Sequence, residues 1–159
     1  MENSIKSIKG FTSKIKKITI KNEGIIKSVD LKFSDGLNII MGSGGSGKTT
    51  VLKAIEKAKK ENVIIKYPSC DPWAAKGEKI MLLFSEINNK HVDKCFLIDD
   101  LLGYLDRIKL EIALKNFEKS KNQIIITMWG SDHVKIPNVA NVINTKDFEK
   151  HVKDKGILE

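Results

Sequence analysis

The spacing of hydrophobic and polar positions changes at residue 42. Before it, Ile18-Thr19-Ile20-Lys21 and Ser28-Val29-Asp30-Leu31-Lys32-Phe33 place apolar side chains at every second position, the period of a half-buried strand. Strands are therefore predicted over 15–21 and 28–33. A Ser34-Asp35-Gly36 turn then leads into a third strand, Leu37 to Met41, which is apolar at all but Asn38. After residue 42 helical patterns at 48–60, 78–88 and 107–120 alternate with short apolar strands at 63–66, 94–99 and 123–127, and a further short strand is predicted near Val142. A connector carrying Pro68 and Pro72 precedes the second helix, and the charged tail 145–155 reads as a helix with few apolar positions. Alternation of strand and helix predicts an α/β fold: a mostly parallel sheet with helices on both faces, preceded by an antiparallel β portion.

The passage between the third strand and the first helix carries the strongest chemical signal. Residues 42–49 read Gly-Ser-Gly-Gly-Ser-Gly-Lys-Thr, a complete G-x-x-x-x-G-K-[ST] phosphate loop. Its position matters as much as its letters, because such a loop works when a buried strand delivers it to a helix N-terminus. Gly42, Gly44, Gly45 and Gly47 permit positive φ and close backbone approach, so that N–H groups of 42–50, including those of Ser43, Ser46 and Thr50, can curl round a phosphate chain at the positive end of the helix. Lys48 is expected to reach the β- and γ-phosphates, and Thr49 to offer its hydroxyl to Mg²⁺, which prefers oxygen ligands. The chain is thus expected to be a three-layer P-loop NTPase with ATP and Mg²⁺ as its ligands.

A second half of the site is legible at Cys95-Phe96-Leu97-Ile98-Asp99-Asp100, four apolar residues running into two carboxylates. This is the form of a central strand ending at the carboxyl edge of a parallel sheet, where phosphate-loop enzymes hold the metal and orient the attacking water. Asp99 is assigned to Mg²⁺ and Asp100, with Lys48, to catalysis. The competing reading is that the pair only caps the next helix.

Length and composition limit the alternatives. At 159 residues, 41% of them hydrophobic and 30% charged, the chain suits one globular domain, taken as 15–159, behind a candidate flexible segment at 1–14. No apolar stretch approaches the roughly 20 residues that span a bilayer. Met1 to Lys14 lacks the apolar stretch of a secretory signal, so a cytoplasmic protein without membrane insertion is expected. Cys70 and Cys95 are isolated, which argues against zinc and against a disulfide framework, and Cys95 is expected to be a small buried hydrophobe. The net charge of +8 is compatible with a nucleic-acid partner, but Arg107 is the sole arginine, so bidentate readout of bases is almost absent.

The residues around these motifs resemble one family. Ile18 to Asn22, Ile26 to Phe33 and Gly36-Leu37-Asn38-Ile39-Ile40-Met41-Gly42 are similar to the opening of ABC-type ATPases, especially the SMC, RecF and overcoming-lysogenization-defect-like branch. Asp99-Asp100-Leu101-Leu102-Gly103-Tyr104-Leu105-Asp106 resembles that family's D-E-P-x-x-x-L-D, and Ala74-Ala75-Lys76-Gly77-Glu78-Lys79 stands where its L-S-x-G-[EQ] signature falls. The resemblance implies an ABC-type cassette in which ATP is sandwiched between the loop of one subunit and the signature of another, in a homodimer or with a heteromeric partner, with Asp106 at the interface. It also implies slow hydrolysis. The family's catalytic Glu is Asp100 here, its signature Ser is Ala75, and its switch His falls on Trp129, with His133 four residues later. Only about 27 residues separate Lys48 from the signature position, which leaves no room for a transporter's helical subdomain or a coiled coil. Trp73 has two readings, an interface anchor or packing under the connector. Two other functions remain in view: an ATP-bound regulatory or structural subunit, and a small-molecule P-loop kinase, for which a chain with one Arg is poorly equipped.

Overall fold

The computed structural model describes residues 14–58, 63–66, 85, 87, 94–100, 105–130 and 133–151. The elements in order are β1 (Lys17–Glu23), β2 (Ile26–Lys32), β3 (Leu37–Met41), α1 (Lys48–Ala58), β4 (Val63–Lys66), β5 (Cys95–Asp99), α2 (Arg107–Glu118), β6 (Gln123–Met128), β7 (Asn141–Asn144), a 3₁₀ turn (Thr145–Asp147) and β8 (Glu149–Lys150). The predicted connector and most of the predicted helix 78–88 lie outside the described residues, although Ser85 and Ile87 within that range are helical.

Five strands form a parallel sheet in the order β4-β5-β6-β3-β7, and a separate antiparallel sheet runs β1-β2-β8. The α/β class and the antiparallel portion ahead of the loop are as the periodicity predicts. Side chains alternate across the parallel sheet, so each strand feeds two cores. Ile39, Phe96, Ile98, Ile124 and Ile126 pack with Leu110, Ala113, Leu114 and Phe117 of α2. Ile40, Cys95, Leu97 and Ile125 point the other way, into a core shared with Val51, Leu52, Ala54 and Ile55 of α1 and with Ile18, Ile20 and Leu31 of the antiparallel sheet. Burial on both faces is why these strands read as apolar runs and β1 and β2 read as alternations. Cys95 is buried, as expected.

Polar residues in the buried strands serve as joints. Asn38 is fully buried; it accepts from Ser34 N–H and donates to the carbonyls of Ser34 and Gly36, locking the turn into β3. Gln123 exchanges two 2.7 Å hydrogen bonds with the backbone of Ile15, fastening the segment ahead of β1 to β6.

The tail departs from its prediction. Over 145–151, the described part of the predicted helix 145–155, Thr145–Asp147 instead forms one 3₁₀ turn, and β8 then pairs with β2; 152–155 lie outside the described residues. Phe148 is buried, and His151 N–H donates to Ile25 O at 3.0 Å. The open edge of β2 and a pocket for one aromatic outweigh the weak helical preference of the charged residues. Among the described residues no helix is long and apolar enough to cross a membrane.

Candidate functional site

β3 ends at Met41, and the loop turns at once against the end of β6, with Gly42 N–H donating to Met128 O at 3.3 Å. The glycines serve two different needs. Gly45 and Gly47 adopt positive φ, +69° and +102°, whereas Gly42 is required for space. A Cβ at Gly42 would lie 2.0 Å from Thr145 Oγ1 and 2.5 Å from Ser46 Oγ, so any side chain there would displace the buried Thr145. Ser43 closes the first turn by accepting from Ser46 N–H at 3.3 Å, and Val51 N–H donates to Gly47 O at 3.1 Å as α1 begins. A depression of about 240 Å³ lies over the helix start, lined by Ile25, Gly45, Ser46, Gly47, Lys48, Thr49 and Thr50.

The sheet order sets the second half of the site. Because β6 lies between β3 and β5, the end of β6 stands between the loop and the acidic pair. Thr127, fully buried near the end of β6, donates to Asp99 Oδ1 at 2.6 Å and accepts from Asp100 N–H at 2.9 Å. Thr49 Oγ1 donates to Asp99 Oδ2 at 2.9 Å, so the predicted pair Thr49 and Asp99 is in direct contact.

Asp100 differs from its neighbour. Its backbone has φ +49°, a conformation few non-glycine residues adopt and one that recurs at functional sites. Its Oδ1 is buried without a hydrogen-bond partner among the described residues. Burial holds its carboxyl above the ordinary carboxylate range, with Lys48 opposing the shift and Asp99 adding to it. The helix-cap reading of the acidic pair does not hold: α2 is capped by Asp106, whose carboxylate accepts from Lys109 N–H at 2.9 Å.

Lys48 is almost fully buried and donates to Gly42 O and Ser43 O, each at 2.7 Å, while the Trp129 ring centroid lies 5.4 Å away. Burial pushes its ammonium below the usual lysine value, against the pull of Asp100 and Asp99. The lysine therefore bonds to its own loop, not to an open phosphate position. His133 is exposed. Trp73, the Ala74 to Lys79 segment and residues 101–104 lie outside the described residues, so the signature and part of the D-loop resemblance find no geometry here.

Three contributors to the site lay outside the sequence reading. Thr127 is an isolated polar residue in an apolar run, a signal that was available. Ile25 reaches the loop because Gly24, at φ +51°, turns the β1–β2 hairpin, which brings Ile25 Cγ2 within 3.3 Å of where a Gly47 Cβ would stand. Thr145 backs Gly42 from the far side of the sheet edge, and nothing local in its sequence marks it.

These groups suit a polyphosphate with a divalent cation: a helix N-terminus with its amides, a buried lysine, and a hydroxyl–carboxylate pair of hard oxygen donors. Among curated proteins none matches the sequence significantly. Among solved structures, the Holliday junction branch migration motor RuvB of Thermotoga maritima is similar with a TM-score of 0.42 and 14% identity, over 69% of this chain and 37% of that one. The family model of the AAA ATPase domain matches residues 14–158, and by that match the chain belongs to the AAA ATPase domain family.

Proposed function

We propose that residues 15–159 form a single ATP-binding domain that hydrolyses ATP slowly in the presence of Mg²⁺ and uses ATP as a dimerisation switch. The observation that carries this reading is the contact between Thr49 and Asp99, 2.9 Å apart although 50 residues apart in sequence, directly beneath the phosphate loop. Thr49 and Asp99 would hold Mg²⁺, which would supply charge neutralisation for the phosphates. The amides of 43–50 and Lys48 bind the phosphate chain. Asp100 orients a water in line with the γ-phosphorus and takes its proton as the new P–O bond forms and the bond to ADP breaks. Its carboxylate is one methylene shorter than a glutamate's, and near-attack geometry is sensitive to displacements of that size, hence the slow turnover.

The branch we favour is the SMC, RecF and overcoming-lysogenization-defect-like one, supported by the antiparallel hairpin ahead of the loop and the Asp99 to Asp106 spacing. In that arrangement the γ-phosphate is completed by a second chain through the segment around Ala75 to Glu78. Exposed lysines on the outer face of the hairpin, with Lys17 directly opposite Lys32 and Lys21 on the same strand, favour contact with nucleic-acid phosphates. The protein would work in the cytoplasm. A second reading, an ATP-bound regulatory subunit that turns over little or not at all, is favoured by Trp129 packed on Lys48. A kinase is disfavoured by Arg107, which pairs with Glu111 at 3.2 Å on the surface of α2.

Two measurements test the proposal. With Lys48→Ala as the blank, purified protein should release phosphate slowly from Mg·ATP. Light scattering on Asp100→Asn should show the mass double when ATP is added. Phosphate release equal to the blank selects the regulatory subunit, and one unchanged mass in wild type and Asp100→Asn rules out the homodimeric switch.

A further inference from the structure

Two strands leave the parallel sheet side by side at the phosphate loop. β7 runs parallel to β3 with Asn144 opposite Met41, so the next residues, Thr145 and Gly42, step off the sheet abreast. There they meet closely. A Cβ on Gly42 would stand 2.0 Å from Thr145 Oγ1, 3.0 Å from Thr145 Cβ and 2.5 Å from Ser46 Oγ, so two hydroxyls converge on one glycine. Ser46 Oγ is buried without a hydrogen-bond partner among the described residues and can turn about χ1. Thr145 is held. It is buried, its carbonyl accepts from Phe148 N–H at 3.2 Å, and Asn144 caps the 3₁₀ turn that it opens by accepting from Lys146 N–H at 3.0 Å. Phe148 anchors that turn in the core with Val51, Leu52 and Ile55 of α1. His151 N–H then donates to Ile25 O at 3.0 Å, which ties the same segment to the hairpin tip that lines the depression over the loop.

Gly42 is where this contact bears on function. Its N–H is fixed to Met128 O of β6 at 3.3 Å and its carbonyl accepts from Lys48 Nζ at 2.7 Å. The glycine therefore sets both where the loop leaves the sheet and where its lysine is held. We infer that Thr145 is a positioning residue of the phosphate site, whose hydroxyl bears on Gly42 and sets the height of the loop's first turn over the sheet edge. The inference rests on the site being a nucleotide-phosphate site. A hydroxyl oxygen is smaller than a methyl group, so threonine comes close to the glycine where a valine of the same outline would push it away. Close-packed interiors transmit such a shift and do not absorb it, and with Thr145 held by its own turn the displacement falls on the loop. Thr145 acts through Gly42, so its effect is on the phosphates and the base plays no part.

The test is calorimetric titration of Mg·ATP and of Mg·pyrophosphate into the full chain, at a temperature below the thermal midpoint of every variant. Thr145→Ser, which keeps the hydroxyl, should bind both ligands as wild type does. Thr145→Val should bind both about tenfold more weakly and by the same factor, an order below the roughly hundredfold cost that a 1 Å misplacement can carry in catalysis. A merely structural threonine would lower the midpoint of both variants and leave both affinities unchanged. A double-mutant cycle checks the contact itself: Gly42→Ala should lose binding, and adding Thr145→Ala should restore part of it, because the 2.0 Å overlap is gone. If Thr145→Val does not fold, the cycle decides alone. Thr145→Val with wild-type affinity, Gly42→Ala with unimpaired binding, or losses in Gly42→Ala and Thr145→Ala that simply add, overturn the positioning role and leave the nucleotide site standing. If wild type and every variant bind neither ligand, the site reading fails and the positioning role with it.

Discussion

The two halves of the site differ in how their charged groups are paired. At the phosphate loop the charged group is engaged, since Lys48 is bonded twice to the loop's own carbonyls and lies beside an indole, although Ser46 Oγ is buried without a hydrogen-bond partner among the described residues. At the end of β5, Asp99 is equally satisfied by Thr49 and Thr127, yet its neighbour Asp100 keeps a buried oxygen without a hydrogen-bond partner among the described residues and a backbone in the left-handed region. A buried polar atom left unpaired costs about 1–3 kcal/mol, so such an atom in a native fold calls for a reason. The contrast teaches that charge is paired by hydrogen bonds at Lys48 and Asp99, while at Asp100 a buried carboxylate oxygen and a left-handed backbone fall on one residue.

The largest effects should come from Asp100, because the strain is concentrated there. Asp100→Asn should lower turnover by about 10²–10⁴, the range for losing a general base, and lengthen the life of the ATP-bound state. Asp100→Glu, which restores the methylene, should raise turnover or leave it unchanged. Steady-state phosphate release separates the three proteins, and a rate indifferent to Asp100→Asn removes this carboxylate from the chemistry.

The same substitution should stabilise the protein free of nucleotide and metal. Burial raises the Asp100 pKa in the fold above its unfolded value, so the native state binds this proton more tightly than the unfolded chain does. Stability from that proton is present at low pH and is lost as pH rises from the ordinary carboxylate value of 3.8 through the raised one. Chemical denaturation in EDTA should therefore find Asp100→Asn gaining on wild type as pH climbs through that window, and level above it. Equal stability at every pH would show that Asp100 carries no strain.

Thr127→Val keeps the shape of the side chain and deletes both of its bonds, one to Asp99 and one from the Asp100 amide. It should cost about 1–2 kcal/mol of stability, since one of the bonds is to a carboxylate and the amide is left without its acceptor. It should also weaken Mg²⁺ dependence of ATP binding, which a merely structural threonine would not affect. The smallest effect is expected away from the site. Asp106→Ala removes the N-cap of α2 and should cost about 1 kcal/mol in thermal unfolding with ATP binding intact. If it instead abolishes ATP-dependent dimerisation at unchanged stability, Asp106 belongs to an interface more than to its helix.

What the sequence made legible follows from how local each signal is. The phosphate loop, the β5 carboxylates and strands such as Leu37–Met41 were readable because their determinants lie within a few neighbouring residues. The meeting of Thr49 with Asp99 was readable only by way of the motif. Thr127, Ile25 and Thr145 reach the site through sheet order, a hairpin turn and the far edge strand, and none of these is encoded nearby. The tail was misread for the same reason: Glu149–Lys150 becomes strand because β2 offers it an edge, a fact about tertiary structure that its own charged sequence does not carry. Lys48 is the subtler case. Its identity as the loop lysine was plain, but its engagement with Gly42, Ser43 and Trp129 could be seen only in three dimensions.

The central claim is that the loop and the acidic pair together bind the phosphates of ATP with Mg²⁺. Its most direct test is the thermal stability of wild type and Lys48→Ala with and without Mg·ATP. A ligand confined to the native state stabilises it by about 2.7 kcal/mol at a hundredfold excess over Kd. Wild type should show that upward shift, Lys48→Ala should show none, and EDTA should reduce the wild-type response. A melting temperature unmoved by ATP in both proteins, or raised equally in both, would contradict the account.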